Sequence, residues 1–113
     1  MPAKPHIPAA EAIELTALIS YTEQGIASRV IAQSGGGNVT LFAFDEGQEL
    51  SEHASPYEAL AEVIEGTLMI TVGGTRVRAP SGTVVRIPAT VPHAVESPKR
   101  SKMMLVMLRG LDP

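Results

Sequence analysis

Histidine is the side chain on which any chemistry of this sequence depends. The chain has three histidines, His6, His53 and His93, among 113 residues, and it has no cysteine. A neutral imidazole binds divalent metal ions, and because it titrates near neutral pH it also donates or accepts protons. Without thiolates, a metal would depend on imidazole and carboxylate ligands. The sequence contains no G-x-S-x-G, P-loop or G-x-G-x-x-G motif, so neither a serine nucleophile nor a nucleotide-phosphate loop is indicated.

Short β-strands have to position these histidines. Apolar and β-branched runs bounded by Gly, Pro and Asp predict strands along most of the chain, and no long helix is indicated. The predicted strands cover residues 26–33, 39–44, 49–53, 59–65, 67–72, 75–78, 83–87 and 102–109. Residues 9–20 predict a helical turn followed by extended chain, because alanine and glutamate come first and alternating apolar residues follow. This pattern is typical of an all-β sandwich or barrel.

Composition and charge restrict the partners. Nine basic and twelve acidic residues give a formal net charge of -3, and no cluster of Lys or Arg could neutralise a row of phosphates. We therefore expect no nucleic-acid partner. No apolar run approaches the ~18 residues of a membrane-spanning helix, and the N-terminus lacks the apolar core of a signal peptide. Together with the absence of cysteine, these features predict a cytoplasmic protein without a membrane partner.

The length of the chain predicts one domain. Pro2, Pro5 and Pro8 indicate that residues 1–12 form an extended leader, in which His6 is expected to have no role, and residues 13–113 are expected to form the single barrel domain. The run KMMLVMLR at 102–109 is apolar on both faces. Its strand therefore needs cover from the barrel interior on one side and from another element on the other.

Two patterns of glycine, proline and histidine resemble the sequence motifs of the cupin family. The first cupin motif is Gly, five residues, His-x-His, three or four residues, Glu, six residues and Gly; the corresponding residues here are Gly47, His53, Ser55, Ala59 and Gly66. The second is Gly, five residues, Pro-x-Gly, two residues, His, three residues and Asn; the corresponding residues here are Gly82, Pro88, Thr90, His93 and Ser97. The spacing of both motifs is kept, whereas one histidine, the glutamate, one glycine and the asparagine are replaced.

The resemblance implies a small single-domain cupin, an all-β jelly roll or double-stranded β-helix barrel, with His53 and His93 facing each other in the lumen. A complete cupin site has three His and one Glu around an ion such as Mn, Fe, Ni or Zn. Because Ser55 and Ala59 stand at two ligand positions, two imidazoles alone would hold such an ion weakly. Glu58 is the additional candidate ligand, although one step along a strand reverses the face unless the bend at Pro56 relaxes the alternation.

The other candidate pocket residues each have two interpretations. Ser55 and Tyr57 could donate hydrogen bonds to a ligand, or the Ser-Pro-Tyr sequence could shape a loop. Met103 could form part of an adaptable wall around a ligand, or it could fill the core. Three arginines on adjacent predicted strands could form an anion-binding patch, although such residues more often make a solvated outer face: Arg76, Arg78 and Arg86.

Two functions are compatible with the sequence. The favoured one is a small cupin that binds a small molecule in the lumen around His53 and His93, with no metal or a weakly held one. The alternative is a metal-dependent enzyme of the dioxygenase or isomerase type, whose ligand set is completed by Glu58, water or substrate. The fold does not decide whether the chain is an enzyme. We also expect a homodimer, because single-domain cupins usually pair through sheet edges and residues 102–109 supply apolar surface.

Overall fold

The computed structural model describes residues 7–109, in which nine strands and one short 3-10 helix form a two-sheet barrel. The helix spans Leu15–Leu18. The strands are β1 (Ile26–Ser34), β2 (Gly37–Phe44), β3 (Glu49–His53), β4 (Glu58–Glu65), β5 (Thr67–Val72), β6 (Thr75–Pro80), β7 (Val84–Ile87), β8 (His93–Glu96) and β9 (Ser101–Leu108). The predicted all-β fold class is confirmed. Within the described residues, no helix is both long enough and apolar enough to cross a membrane.

The strands are divided between two antiparallel sheets. The five-stranded sheet has the order β1-β2-β9-β4-β7, and the four-stranded sheet has the order β3-β8-β5-β6. Strands that are distant in sequence therefore become neighbours, as in the jelly roll that the sequence predicts. This order places β3, which ends at His53, beside β8, which begins at His93.

An apolar core fills the space between the inner faces of the two sheets. Its large members include Phe44 of β2, Leu68 and Ile70 of β5, Val95 of β8 and Met103 of β9. Each of them is at most 2% exposed. Burial of one side chain of this size contributes about 1.5–3 kcal/mol, so this core is the main source of stability. The middle of the lumen is therefore occupied by protein.

The residues before β1 cover part of the outer face of the five-stranded sheet. Leu15 and Leu18 of the helix, and Ile19 after it, pack with Leu41 of β2 and Met104 of β9 in a second apolar cluster. The outer face of β9 is thus covered in part by residues of the same chain. This contact explains how a strand without a polar face is accommodated.

The prediction for residues 9–20 placed the helical turn too early. Residues 9–10 form a turn, residues 11–14 form no regular element, and the helical turn lies at Leu15–Leu18, followed by extended backbone at Ile19. The turn forms where Leu15 and Leu18, three positions apart, pack on one side of it against the second apolar cluster. This packing outweighs the helix propensity of the alanines earlier in the segment. Residues 1–6 of the predicted leader, with His6, lie outside the described residues. The N–H of Ile7 donates to the carbonyl of Ile31 at 3.2 Å.

Tyr21 anchors the covering segment, residues 7–25, to the sheet. Its hydroxyl donates a hydrogen bond to Glu65, and its ring centroid lies 5.0 Å from the guanidinium of Arg100 and 4.9 Å from the ammonium of Lys102. Lys102 also donates to the carbonyl of Thr16 at 2.7 Å. Burial, and then the carboxylate of Glu65, raises the pKa of Tyr21 well above its ordinary value. The phenol therefore keeps its proton and its hydrogen bond at physiological pH.

Asp45, in the turn after β2, joins three separate segments. Its carboxylate accepts hydrogen bonds from Nε of Arg100 at 2.7 Å and from the N–H of Gln24 at 2.6 Å. The hydrogen bond from Arg100, followed by those from the N–H groups of Gln24 and Glu46, lowers the pKa of Asp45 from 3.8 to about 2. A carboxylate with a depressed native pKa stabilises the fold above its unfolded pKa, and this contribution is lost as the pH falls through the native value.

We expect Asp45→Asn to lower the free energy of unfolding at neutral pH, and we expect its difference from the wild type to shrink as the pH falls from 3.8 to about 2. Urea denaturation of both proteins over this range measures the difference. Glu46→Gln is the matched control, because the side chain of Glu46 is exposed, and it should follow the wild type. A difference between Asp45→Asn and the wild type that does not change with pH would contradict a role for the charge.

Candidate functional site

His53 and His93 meet at one end of the barrel. His53 is the last residue of β3 and His93 the first of β8, and the two are direct partners in the antiparallel ladder. Their ring centroids are 4.3 Å apart, and the ring planes are inclined by 61°. The ring of His53 is exposed, whereas His93 is half-buried. The structure therefore brings together the two histidines that the sequence motifs single out.

A β-bulge decides which face His53 occupies. From Leu50 to His53, β3 advances three residues, whereas its partner β8 advances two, from Val95 to His93. Under strict alternation, Glu52 rather than His53 would share a face with Leu50. The extra residue reverses the alternation, so His53 lies on the same face as Leu50 and Val95.

This face is the lumen side of the four-stranded sheet. Val95 belongs to the buried core, and Leu50 packs against it. The other ladder partner of His93 is Val72 of β5, which packs against the same core. The last lumen-facing row of this sheet thus consists of His53, His93, Val72 and Thr75, the partner of Val72 on β6. The two imidazoles lie at the mouth of the barrel, above an apolar floor.

Backbone carbonyl groups set the tautomer of both rings. Nδ1 of His53 lies 2.8 Å from the carbonyl oxygen of Ser51, and Nδ1 of His93 lies 3.0 Å from that of Val91. Because a carbonyl oxygen only accepts hydrogen bonds, each Nδ1 carries the hydrogen and donates it. In a neutral imidazole this leaves Nε2 without a proton. Each ring therefore presents one lone pair, which can accept a hydrogen bond or bind a metal ion.

Glu58 does not join the histidines. It is the first residue of β4, and its carboxylate accepts a hydrogen bond from Nε of Arg86 on β7 at 2.5 Å. The next residue, Ala59, is 7% exposed and belongs to the lumen core. The bend at Pro56 therefore leaves the alternation along β4 intact, and Glu58 faces the outer side of the five-stranded sheet.

Ser55 and Tyr57 both have partners within the protein. Oγ of Ser55 accepts a hydrogen bond from the N–H of Tyr57 at 3.1 Å, and the carbonyl of Ser55 accepts one from the N–H of Thr90 at 2.7 Å. The guanidinium of Arg109 lies 5.0 Å from the centroid of the Tyr57 ring. These contacts hold the loop between β3 and β4 against the loop between β7 and β8. Each of these two loops is adjacent to one of the histidines.

Met103 lies deeper in the barrel than the histidine pair. It is 2% exposed, and its ladder partners are Phe42 of β2 and Val63 of β4. Met107, four residues further along β9, pairs with Ala59 at the beginning of β4 and packs against the same core. Met107 is therefore closer than Met103 to the end of the barrel at which the histidines lie.

Sequence reasoning missed two polar residues of the lumen face, Asn38 and Thr40. The hydroxyl of Thr40 donates to Oδ1 of Asn38 at 3.0 Å. They alternate along β2 with Phe42, which packs against the lumen core, so they lie on the same face. Their ladder partners on β9 are Met107 for Asn38 and Leu105 for Thr40. The period of two in NVTLFAF was the available signal.

Comparison with known proteins identifies the family. The family model of the Cupin domain matches residues 40–109. The chain belongs to the cupin family. Among curated proteins, no sequence matches this cupin.

Solved structures resemble this cupin over almost its whole length. One is a conserved protein of unknown function from Streptococcus pyogenes, which is 28% identical, with 99% of this chain and 98% of that chain covered and a TM-score of 0.88. Another is a cupin superfamily protein from Desulfitobacterium hafniense, which is 26% identical, with 97% and 100% covered and a TM-score of 0.87. A Cupin 2 conserved barrel domain protein from Leptotrichia buccalis is 28% identical, with 86% of this chain and 47% of that chain covered and a TM-score of 0.82.

The residues at the mouth do not match a complete cupin metal site. At the four ligand positions, His53 and His93 are imidazoles, Ser55 has a hydroxyl that is used within the loop, and Ala59 has a methyl group. Within residues 7–109, no group of three or more His, Asp or Glu side chains is arranged to hold a metal ion. The mouth of this cupin instead presents two nitrogen atoms that can accept hydrogen bonds.

Thr90, at the glycine position of the second motif, has a backbone conformation that is typical of glycine. Its φ is 68°, in the left-handed region that glycine adopts easily and β-branched residues avoid. In this conformation the N–H of Thr90 donates to the carbonyl of Ser55 at 2.7 Å. Thr90 therefore stores strain next to the histidine pair.

We expect Thr90→Gly to raise the free energy of unfolding by about 0.5–1 kcal/mol, because relief of a left-handed β-branched residue outweighs the greater flexibility of glycine in the unfolded chain. Chemical denaturation measures the difference. Thr75→Gly, at an exposed strand position without a positive φ, is the control and should lower stability by about 0.5–1 kcal/mol. Destabilisation by Thr90→Gly would show that position 90 is not strained.

Proposed function

We propose that this cupin binds a small polar molecule at the mouth of its barrel, where the molecule donates hydrogen bonds to Nε2 of His53 and Nε2 of His93. The binding needs no metal ion, or involves only a weakly held one. The observation that carries the proposal is the pair of carbonyl contacts that place the hydrogen of each ring on Nδ1. Two lone pairs from adjacent rings then serve a ligand that carries hydroxyl or amino groups.

The surroundings of the pair support binding more than catalysis. Val72 supplies an apolar floor beside His93, and Met107 packs against the core at the same end of the barrel. A site with a largely apolar lining and a few convergent polar atoms is typical of small-molecule binding. A nucleophile activated by one of the two imidazoles is not among the contacts of the described residues.

Histidine-selective 15N NMR tests this proposal directly. We expect the free protein to show both rings with hydrogen on Nδ1, and we expect a panel of sugars, polyols and amino acids to contain at least one compound that shifts the Nε2 signals of both rings. His53→Ala should abolish binding of that compound, whereas His6→Ala, the same substitution outside the described residues, should not. A panel that leaves both rings unshifted, or binding that survives His53→Ala, would overturn the proposal.

Elemental analysis distinguishes the proposed binding protein from the alternative function, a metal-dependent cupin enzyme of the dioxygenase or isomerase type. The protein should be purified without chelators and without a histidine tag. We expect clearly less than one equivalent of Mn, Fe, Ni or Zn. One equivalent of any of these metals, lost in His53→Ala, would instead favour the enzyme, with Nε2 of both rings as ligands and further positions filled by water or substrate.

We also propose that two copies of the chain pair through the outer face of the five-stranded sheet. Beyond the covering segment, this face exposes three apolar side chains on the neighbouring strands β9, β4 and β7: Leu108 at 39%, Leu60 at 38% and Val84 at 59%. In a two-fold dimer the same patch of both copies lies in the interface. Pairing through this stripe would therefore bury the exposed apolar side chains of each copy against those of the other.

The double variant Leu60→Arg with Val84→Arg should therefore be monomeric, whereas the wild type should sediment as a dimer in analytical ultracentrifugation. The control Arg76→Glu changes an exposed charge on the other sheet and should leave the dimer intact. A wild type that sediments as a monomer at every concentration would refute the pairing.

The absence of cysteine supports our further proposal that the protein resides in the reducing cytoplasm.

A further inference from the structure

The three arginines considered in the sequence as an anion-binding patch or a solvated outer face have different surroundings in the structure. Arg86 lies on the five-stranded sheet and pairs with Glu58, and Arg76 of β6 pairs with Glu96 at 3.2 Å. Arg78 is two residues further along β6, so it faces the same side as Arg76. Within residues 7–109, Arg78 makes no ion pair or hydrogen bond through its side chain. The fold thus leaves this exposed cation without a protein partner in the described region.

Arg78 lines a depression of about 450 Å³ on the outer side of the four-stranded sheet. The side chains around it come from β5, β6 and the turn between β8 and β9: Thr67, Met69, Arg78, Pro98, Lys99 and Arg100. Three of these residues are cationic and none is acidic. Thr67 begins β5, whereas the partner of His93, Val72, ends it. The depression is therefore at the opposite end of the sheet from the histidine pair.

Two contacts hold Arg100 in place at the edge of this depression. Its Nε donates to Asp45 at 2.7 Å, and its guanidinium lies 5.0 Å from the centroid of the Tyr21 ring. Because the bond to Asp45 uses Nε, the terminal nitrogens remain available as donors. Lys99, the preceding residue, is exposed and forms no ion pair with the residues that the structure describes. One positioned cation and two unpaired ones thus converge on the same space.

The charge of the depression is not a consequence of a basic protein, because the formal net charge of the chain is -3. Guanidinium groups and a lysine together match the oxygen atoms of a phosphate group, and a dianion gains more from three cations than a single carboxylate does. The volume lies within the range of ~300–1,000 Å³ that small-molecule sites occupy. Met69 and Pro98 add an apolar surface beside the cations.

We propose that this depression binds a small phosphorylated metabolite, with its phosphate held by Arg78, Lys99 and Arg100 and its apolar part against Met69 and Pro98. Glu96, the ladder partner of Met69, does not compete for Arg78, because its carboxylate is engaged by Arg76. The site is independent of the histidine pair and of the proposed function at the barrel mouth.

Phenyl phosphate is the probe, because it combines a phosphate with one apolar group. In amide NMR titrations we expect it to shift Gly66, Thr67, Lys99 and Arg100, with millimolar or tighter affinity, and to bind more tightly than inorganic phosphate. Arg78→Gln and Lys99→Gln should each weaken binding by about fivefold to tenfold, since each removes one charge-assisted contact at an exposed site. Arg100→Gln is not used, because Arg100 also anchors Asp45 and Tyr21.

Arg86→Gln is the control, since Arg86 is an exposed arginine that pairs with Glu58 on the other sheet. It should change the affinity less than twofold. An equal loss in Arg86→Gln and Arg78→Gln would overturn the site, because it would show attraction to the overall charge of the protein. Absence of shifts in the four amides, or equally tight binding of benzoate, would overturn the phosphate assignment. Binding of phenyl phosphate that is no tighter than that of inorganic phosphate would refute the apolar subsite.

Discussion

Gly66→Ala is expected to destabilise this cupin by about 3–4 kcal/mol, the larger of the two main effects that we predict. Gly66 connects β4 of one sheet to β5 of the other, and its φ is +77°. A Cβ at this position would lie 2.5 Å from the carbonyl oxygen of Arg100 and 2.5 Å from Oγ of Ser101. The backbone oxygen cannot move without shifting the start of β9, so the clash adds to the strain of a left-handed alanine.

Gly47→Ala separates the two contributions to this effect. Gly47 has a φ of +80°, but a Cβ there would meet nothing within 4 Å. Gly47→Ala should therefore lower the free energy of unfolding only by the cost of a left-handed alanine, about 1 kcal/mol. Urea denaturation of the two variants and the wild type gives the difference. Equal losses at the two positions would show that the contact with Arg100 and Ser101 is relieved without strain.

Lys102→Ala is expected to lower the free energy of unfolding by about 2–3 kcal/mol, because Lys102 is the only charged residue that is buried among residues 7–109. Its side chain is 10% exposed. It donates to the carbonyl of Thr16, lies 4.0 Å from Glu65 and contacts the ring of Tyr21, so its loss leaves the covering segment without its central contact.

Two further variants show whether charge or packing accounts for the loss. Lys102→Met keeps the apolar stem and should recover part of the stability, while the carbonyl of Thr16 remains without its donor. Lys99→Ala, at an exposed position of the turn that precedes β9, should change stability by less than about 0.5 kcal/mol. Limited proteolysis within residues 7–25 should accelerate in Lys102→Ala but not in Lys99→Ala. Unchanged proteolysis and stability in Lys102→Ala would refute the anchoring role.

The strands and the family could be predicted from the sequence because both depend on local signals. Runs such as VTLFAF and TLMITV carry strand propensity by themselves, and glycine and proline mark the turns between them. The motif spacing also pointed correctly to His53 and His93 as neighbours. The facing of Glu58 followed from simple alternation, since β4 has no bulge at its beginning.

The remaining features depend on contacts that local sequence does not encode. The bulge that turns His53 toward the lumen arises from the pairing of β3 with β8, which lie far apart in the sequence. The position of the helical turn depends on a cluster formed with β2 and β9. The strand order also decides which arginine has an acidic partner. It places Arg76 beside Glu96 and Arg86 beside Glu58, and the periodicity of the sequence does not predict these pairs.

The place of β9 in the strand order has a consequence for how the protein is made. β9 is the last of the nine described strands to leave the ribosome, yet it lies in the middle of its sheet, hydrogen-bonded to β2 on one side and β4 on the other. Until residues 101–108 emerge, β2 and β4 each keep an unpaired backbone edge. Nascent chains are therefore exposed to aggregation through these two edges until β9 has emerged, and a chaperone that shields such edges would raise the yield of folded protein.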